Sequence, residues 1–384
     1  DDPDAVYPSG QPIAENTPHT TGGDVDVYTV TPALPDGLSI DAVTGIISGL
    51  PTRVQPRTVY TVTGSNKAGS VAAQIAIAIS QGRQMWVPAD SMSTTREMHT
   101  ATLLPDGTVL VAGGTNGRTL NSAELYHTDT KAWETVASMS SARYYYTATL
   151  LPDGTVLVAG GSSSSANSAE LYHPDTKTWE TVASMSAPRT NHTATLLPDG
   201  TVLVAGSWYS SSGSSAELYH PDTKTWETVA SMSAPRQLHT ATLLPDGTVL
   251  VAGGSSSSAN SAELYHPDTK TWETVASMSA PRTNHTATLL PDGTVLVAGG
   301  GTGSARSSAE LYHPDTKTWE TVASMSAPRK PHTATLLPDG TVLVAGGRSS
   351  SGSSAELYHP DTKTWETVAS MSEPHEYHTA TLLP

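Results

Sequence analysis

Residues 99–114 read His-Thr-Ala-Thr-Leu-Leu-Pro-Asp-Gly-Thr-Val-Leu-Val-Ala-Gly-Gly. The Thr-Ala-Thr core starts at Thr100 and returns at Thr147, Thr193, Thr240, Thr286, Thr333 and Thr379, in steps of 47, 46, 47, 46, 47 and 46 residues. Within the first unit, Pro105 presets φ and Gly107 supplies a left-handed position, so Pro-Asp-Gly is a tight turn. It separates a strand at 100–104 from a strand at 108–112. The second of these is apolar on both faces, as suits a sheet covered by a neighbour on each side. Residues 122–126 give a third strand, 127–131 a turn, and 133–138 a fourth strand. Four short strands repeated at this period predict small sheets arranged radially, a β-propeller.

The repeat resembles the kelch motif. A Gly-Gly pair is followed by a Tyr and a Trp seven positions apart, as in Tyr126 with Trp133, Tyr172 with Trp179 and Tyr358 with Trp365. An Arg-x-x-His element precedes most first strands, as at Arg189 to His192. The pattern departs at Ser207, where the second Gly is lost, and at Tyr146 and His375, which replace the usual His and Arg. Six complete units are present. Trp86 to Met92 reads as a lone fourth strand and Thr379 to Pro384 as a lone first strand. Joined, they make an incomplete seventh blade, so the expectation is a seven-bladed propeller over 85–384. The alternative is six blades with two redundant end strands.

Residues 1–82 lack the repeat. Short β-branched runs, with a turn at Asp41-Ala42-Val43-Thr44-Gly45, predict a small β-sandwich. Ala33-Leu34-Pro35-Asp36-Gly37-Leu38-Ser39-Ile40 and Thr44-Gly45-Ile46-Ile47-Ser48-Gly49-Leu50-Pro51-Thr52 resemble the Ig-like (cadherin-like) module of bacterial surface proteins. That resemblance implies a spacer or adhesion module outside the cell. Residues 81–84 read as the linker. The fold class is therefore all-β throughout.

Composition narrows the function. A formal net charge of -16 argues against nucleic acid as the partner. No apolar run reaches the length of a membrane span, so membrane insertion of this segment is not expected. The chain has no cysteine, which removes thiolate metal sites and cysteine nucleophiles. Copper radical oxidases also join kelch propellers to Ig-like modules, and Tyr145, Tyr377, His378 and Trp208 resemble pieces of such a site. Their copper centre, however, depends on a tyrosine cross-linked to cysteine. The expectation is a protein that is not an enzyme, with no cofactor and no bound metal. His99, Tyr146, His192, His239, His285, His332 and His378 share one position around the axis and are read as packing residues. Arg143, Arg189, Arg236, Arg282 and Arg329 are expected to pair with the Glu of each Ala-Glu-Leu-Tyr.

Differences among the repeats point to the site. The Pro-Asp-Gly turn and the His-Pro-Asp-Thr-Lys-Thr turn barely change. Variation falls between Arg and His, and in the loop after the Gly pair. In an antiparallel four-strand blade both variable segments lie on one face, and loops on a rigid scaffold carry binding. The candidate ligand-binding face comprises Glu97, Met98, Tyr144, Tyr145, Tyr146, Asn191, Trp208, Tyr209, Gln237, Asn284, Arg306, Lys330, Arg348, Glu376 and Tyr377. Its aromatics suit a sugar or a protein surface. The expected function is bacterial extracellular or cell-surface adhesion through a glycan or an extracellular protein. A second reading is a structural subunit that assembles with copies of itself in a surface layer or filament.

Overall fold

Each repeat becomes a sheet because its turns are written into its sequence and its second strand is apolar on both faces. The computed structural model describes residues 4–8, 12–19, 24–53, 55–80, 86–162, 166–255, 259–348 and 352–383. It has two units, Asp1–Met85 and Trp86–Pro384. The linker expected at 81–84 lies outside the described residues.

In the first unit, strands β1 (Asp4–Pro8), β2 (Val27–Thr31), β5 (Gln55–Asn66) and β6 (Gly69–Ser80) pair in the order β1-β6-β5-β2, while β3 (Leu38–Ile40) pairs with β4 (Ile47–Gly49). Ile47, Tyr60, Ile77 and Ile79 form the core between them. The β3–β4 turn is held by Asp41, whose Oδ1 accepts from the Val43 and Thr44 amides at 2.9 and 2.7 Å. Sequence patterning missed β1, which runs parallel to β6. Val71, Ala73, Ile75, Ile77 and Ile79 alternate along β6 as one face of a strand. Val71 is 70 % exposed, because the core lies only over the far end of that strand.

In the second unit, β7 (Thr100–Leu103), β8 (Val109–Ala112), β9 (Ala123–His127) and β10 (Ala132–Val136) form the first four-stranded sheet. Five more follow at 147–182, 193–229, 240–275, 286–322 and 333–368, so six such sheets stand among the described residues of this unit. Alternate side chains of a strand point to opposite faces, which makes each sheet two-sided. Val156, Val158 and Tyr172 of the second sheet pack against Leu104, Leu110, Ala112, Ala123, Leu125 and Met139 of the first. The same pairing of faces recurs between all later neighbours. Each fully buried Val or Leu contributes roughly 1.5–3 kcal/mol.

A buried ion pair ties every sheet to the connection that enters it. Arg236 Nη2 donates to Glu263 Oε1 at 2.8 Å, and Nη1 donates to the carbonyls of Gly253 and Ser261 at 2.8 and 3.0 Å. The Ser233 amide donates to the other carboxylate oxygen at 2.8 Å. Five equivalent pairs complete the set, from Arg96–Glu124 to Arg329–Glu356, with side-chain exposures of 0 % and 1 %. The pairing expected from sequence is therefore present.

The two end segments correct the sequence reading. Neither 86–92 nor 379–383 is a strand. A first strand needs a second beside it and a fourth needs a third, and neither segment has that partner among the described residues. Both still stand in the ring. Trp86 Nε1 donates to the Ala369 carbonyl and Trp133 Nε1 to the Asp90 carbonyl, both at 2.8 Å. These bonds copy the Trp179–Ala137 link between complete sheets. On the inside, His99 Nε2 meets Thr379 Oγ1 at 3.1 Å.

That last contact closes a ring of hydrogen bonds around the axis. Thr147, Thr193, Thr240, Thr286 and Thr333 pair through Oγ1 with Nε2 of His192, His239, His285, His332 and His378 at 2.9–3.1 Å. Thr100 meets the Tyr146 hydroxyl instead, at 2.9 Å. Burial, then the nearby arginines, pushes His192, His239, His285 and His332 down to about 3. His99 and His378 are lowered to about 4, again mainly by burial.

Two outcomes follow for stability. Arg236→Met leaves Glu263 buried without its cation and should cost about 3–5 kcal/mol in denaturant unfolding. Adding Glu263→Leu should recover only part of that, because the Gly253 carbonyl and the Ser233 amide lose these partners, while the Ser261 carbonyl keeps the Gly253 amide; full recovery would show that these bonds contribute nothing. The histidines titrate near 6.5 when unfolded and only near 3–4 when folded. Their contribution is thus complete above pH 6.5 and is lost as pH falls toward 4 and below. Thermal midpoints should drop across that window, and His239→Tyr, which copies the residue found at Tyr146, should make the drop shallower.

Candidate functional site

The repeat puts two chemically different faces on the second unit. On one, the 1–2 and 3–4 turns interlock. Thr128 Oγ1 donates to the Gly107 carbonyl. Lys177 reaches back to Glu134 of the preceding sheet at 2.6 Å, and His127 meets the same carboxylate at 2.9 Å. The hydrogen bonds from Lys177 and His127 hold that carboxyl below its usual range. The motif recurs at Lys224–Glu180, Lys270–Glu227, Lys317–Glu273 and Lys363–Glu320. These links between sheets give the constant turns a structural reason to stay constant.

On the other face, each connection is clasped by the loops of both sheets it joins. The Arg143 amide donates to Leu120 of the first sheet's loop, and the Ser162 amide of the second sheet's loop donates to Tyr144. The Gly pair makes this approach possible: a Cβ on Gly160 would lie 2.5 Å from the Arg189 carbonyl. Ser207, at the second glycine's place in the third repeat, uses its hydroxyl as an acceptor for the Tyr209 amide at 3.0 Å.

The residue before the channel-facing His or Tyr turns left-handed everywhere except at Pro331. Met98, Tyr145, Asn191, Leu238, Asn284 and Tyr377 have φ between 51° and 56°. Such a backbone is costly for Tyr, Met and Leu. It is repaid in part by an inner ring of backbone bonds: Asn191 to Tyr145, Leu238 to Asn191, Asn284 to Leu238, and Met98 to Tyr377, at 3.0–3.1 Å. Pro331 occupies the remaining position and has no N–H to give.

Tyr145, Asn191, Leu238, Asn284, Pro331 and Tyr377 line a cavity of about 270 Å³ at the channel mouth, together with Tyr146 and His192, His239, His285 and His332. The Tyr145 ring lies 5.3 Å from Tyr144 and 6.0 Å, edge-on, from Tyr377. Burial, then a hydrogen bond with Tyr377, keeps the Tyr145 phenol protonated far above its ordinary range. The Asn191 Oδ1 and Gln237 Oε1 atoms, and the Nδ1 atoms of the channel histidines, are buried without a protein partner. No Asp, Glu, Lys or Arg side chain lines the cavity.

The predicted face thus divides. Tyr145, Asn191, Asn284 and Tyr377 come together at the mouth. Tyr146, grouped with the exposed aromatics from sequence, is 7 % exposed, and its hydroxyl is taken up by Thr100 and the Ala112 carbonyl. It is a histidine substitute in the cavity floor. Lys330 is not free either, since Nζ donates to the Gly301 and Gly303 carbonyls in the loop of the preceding sheet. Glu97, Met98, Tyr144, Gln237, Trp208, Tyr209, Arg306, Arg348 and Glu376 stay outside the cavity lining. Arg348 and Glu376 face each other at 3.8 Å, and Trp208 is 61 % exposed on its loop. Leu238 and Pro331 line the mouth without having been singled out; an aliphatic residue and a proline carry no binding signal in a sequence.

Among the described residues no three His, Asp or Glu side chains converge as a metal cage. Each channel histidine shares a hydrogen bond through Nε2 with a threonine, and the Tyr145 hydroxyl shares one with Tyr377. Among the described residues no helix is long and apolar enough to cross a membrane.

Known proteins place this arrangement. A fungal alcohol oxidase of the AA5 family, solved in complex with copper, matches with a TM-score of 0.66 at 18 % identity, covering 76 % of this chain and 68 % of that one. The structure of YjhT matches with a TM-score of 0.56 at 15 % identity, covering 74 % of this chain and 99 % of that one. At such identities the likeness concerns the fold alone. No curated protein matches the sequence. The Putative Ig domain family matches residues 3–80. The Kelch motif matches 239–279, 281–326 and 329–372. The KLHDC2/KLHL20/DRC7 Kelch-repeats domain matches 56–254, although residues 56–85 of that span fall within the first unit. With more than half of its length matched, with the Tyr–Trp pair and Arg–Glu staple in each complete sheet and the Gly pair in all but the third, the chain belongs to the kelch-repeat family, a propeller built for protein interaction, preceded by an Ig-like domain.

Proposed function

We propose that this propeller is a non-enzymatic binding protein that takes the end of an uncharged glycan at its channel mouth, outside the cell. The observation that carries the reading is the lining itself. Two paired tyrosines stand beside asparagines, and no charged side chain is present. Sugar rings stack their C–H faces on aromatic rings, and their hydroxyls exchange hydrogen bonds with side-chain amides such as those of Asn191 and Asn284 in the lining. Ligand pockets commonly span about 300–1,000 Å³, so a cavity near the lower bound suits a single terminal sugar. The neutral histidines add no charge that would select an acidic one. An adhesion role draws its support from the Ig-like unit and its resemblance to bacterial surface modules.

The committed hydroxyl of Tyr145 and the lack of cysteine both weigh against oxidase chemistry. A protein ligand is the second reading, favoured by Trp208, the exposed tryptophan on the third repeat's loop. A glycan array separates the two. Binding to neutral but not sialylated ends, weakened about tenfold or more by Tyr145→Ala or Tyr377→Ala and unchanged by Trp208→Ala, is the expected result. Loss on Trp208→Ala alone, or no array binding at all, would reject the mouth as the glycan site.

A further inference from the structure

Positive charge on the variable face gathers in one sector. In the second unit, the arginines that lead into each sheet are stapled to third-strand glutamates, and the lysines from Lys131 onward stand in the 3–4 turns of the opposite face. The remaining cations are Arg118, Arg306, Lys330 and Arg348, and three of these four meet between the fifth and sixth sheets. Arg306 and Lys330 both reach Gly301: a Cβ on that glycine would lie 3.4 Å from Arg306 Cγ, and Lys330 Nζ donates to its carbonyl at 3.3 Å. The Arg348 amide donates to the Lys330 carbonyl at 2.8 Å, which brings the sixth sheet's loop to the other side of the same lysine. Residues 299–309, 328–333 and 345–355 contain no Asp or Glu. Arg306 is half-buried, its Nε has no protein partner, and its guanidinium meets no carboxylate among the described residues. Arg282 is lowered from its ordinary range chiefly by burial, and the Arg306 charge adds to that. Arg348 faces Glu376 at 3.8 Å with side-chain exposures of 77 % and 42 %, and a pair so open to water contributes little.

We propose that Arg306, Lys330 and Arg348 form an oxyanion site on the rim of the channel mouth, which takes a sulfate ester or a carboxylate on the sugar behind the neutral terminal one. This rim site rests on the reading of the mouth as the seat of a glycan end, and extends it outward. Pro331, next in the chain to Lys330, lines the mouth. The Gly301 amide donates to the Thr283 carbonyl, beside Asn284 of the same lining. The cations therefore begin one residue outward from the uncharged wall. A guanidinium offers a planar fork of N–H donors that matches two oxygens of one anion, and an ammonium sets a point charge beside it. Arg306 brings a fork that no carboxylate fills, and Arg348 gives up only its solvent-exposed pairing with Glu376. On a chain of net charge -16, a local excess of positive charge also turns an acidic ligand toward this sector. The terminal sugar is then read by aromatic faces and amides, and the sugar behind it by charge.

The probe is an array of neutral-ended oligosaccharides, each in three forms: unmodified, with a sulfate ester on the second sugar, and with a uronic acid as the second sugar. The full chain should bind at least one acidic form about tenfold more tightly than the unmodified form at low salt, and which of the two it prefers identifies the anion. The advantage should shrink as salt is raised. Arg306→Gln combined with Arg348→Gln should bring the acidic forms down to the level of the unmodified one, with a retained thermal midpoint showing that the fold is intact. Glu376→Gln removes the carboxylate that faces Arg348 and should widen the advantage, which a purely structural arginine pair would not produce. Equal binding of all three forms, or an advantage that survives the double substitution, overturns the rim site and leaves the mouth standing. Acidic forms held through the two arginines but indifferent to Tyr145→Ala support the rim site and overturn the mouth as the seat of the sugar end. No binding of any form overturns both, and an aspartate-rich peptide bound in preference to every acidic form overturns the rim site as a glycan subsite.

Discussion

The buried Arg–Glu pair is the constraint on which the binding face depends. Removing two charges from water is expensive, and such a pair gains little net stability over a well-packed apolar one. Its consequence here is geometric. The guanidinium touches the Glu of the third strand, the Ser that precedes that strand, and the carbonyl of the first Gly after the second strand. One rigid fork therefore fixes the base of the 2–3 loop and the incoming connection together. Only two residues then separate the arginine from the histidine that faces the axis, so those two residues are held at the channel mouth whatever their identity. Variation between Arg and His changes the mouth without moving the frame.

A second consequence concerns the backbone at that mouth. Between a stapled Arg and a bonded His, the chain must reverse within two residues, and the left-handed φ of Tyr145, Leu238 and Tyr377 is how it does so. A free loop would place Gly or Asn there. Tyr and Leu are tolerated because the inner ring of amide bonds and the histidine–threonine ring hold both sides of the turn. The local strain is a product of the frame and recurs in most repeats, so by itself it marks architecture. What distinguishes the mouth is which side chains the strained positions carry.

The fold was largely legible in the sequence, because the period of 46 and 47 residues, the Pro-Asp-Gly turn and the alternation in Val-Leu-Val-Ala are local signals. The strand limits differ from those expected by one or two residues, and the Arg–Glu pairing could be inferred from co-occurrence within the repeat. The site was legible only in part, for reasons of distance and phase. Tyr145 and Tyr377 are 232 residues apart in sequence, and their approach depends on ring closure through the end segments. Tyr145 and Tyr146 are adjacent and look alike, yet one residue of phase sends the first to the mouth and the second into the floor. Lys330 gives no sign in sequence that carbonyls of the preceding sheet's loop, 27 and 29 residues earlier, accept from it. The end segments carry strand-like patterns, but a strand is a property of two chains side by side, and a one-sided pattern cannot supply the second.

The distribution of charge follows from the same frame. The chain is acidic overall, yet the mouth has no charged lining. The lysines of the 3–4 turns are drawn into bridges such as Lys224–Glu180 between sheets, and the arginines are drawn inward to the third-strand glutamates. Among the described basic residues of the variable loops, Lys330 is tied to carbonyls and Arg348 faces Glu376. Desolvation keeps the axial histidines neutral, and their Nε2 atoms are engaged by threonines. Each device that builds the ring thus also removes a charge from the channel mouth, leaving aromatic faces, amides and unshared imidazole nitrogens. A propeller closed in this way has an uncharged, hydrogen-bonding cavity lining at the channel mouth of an acidic protein.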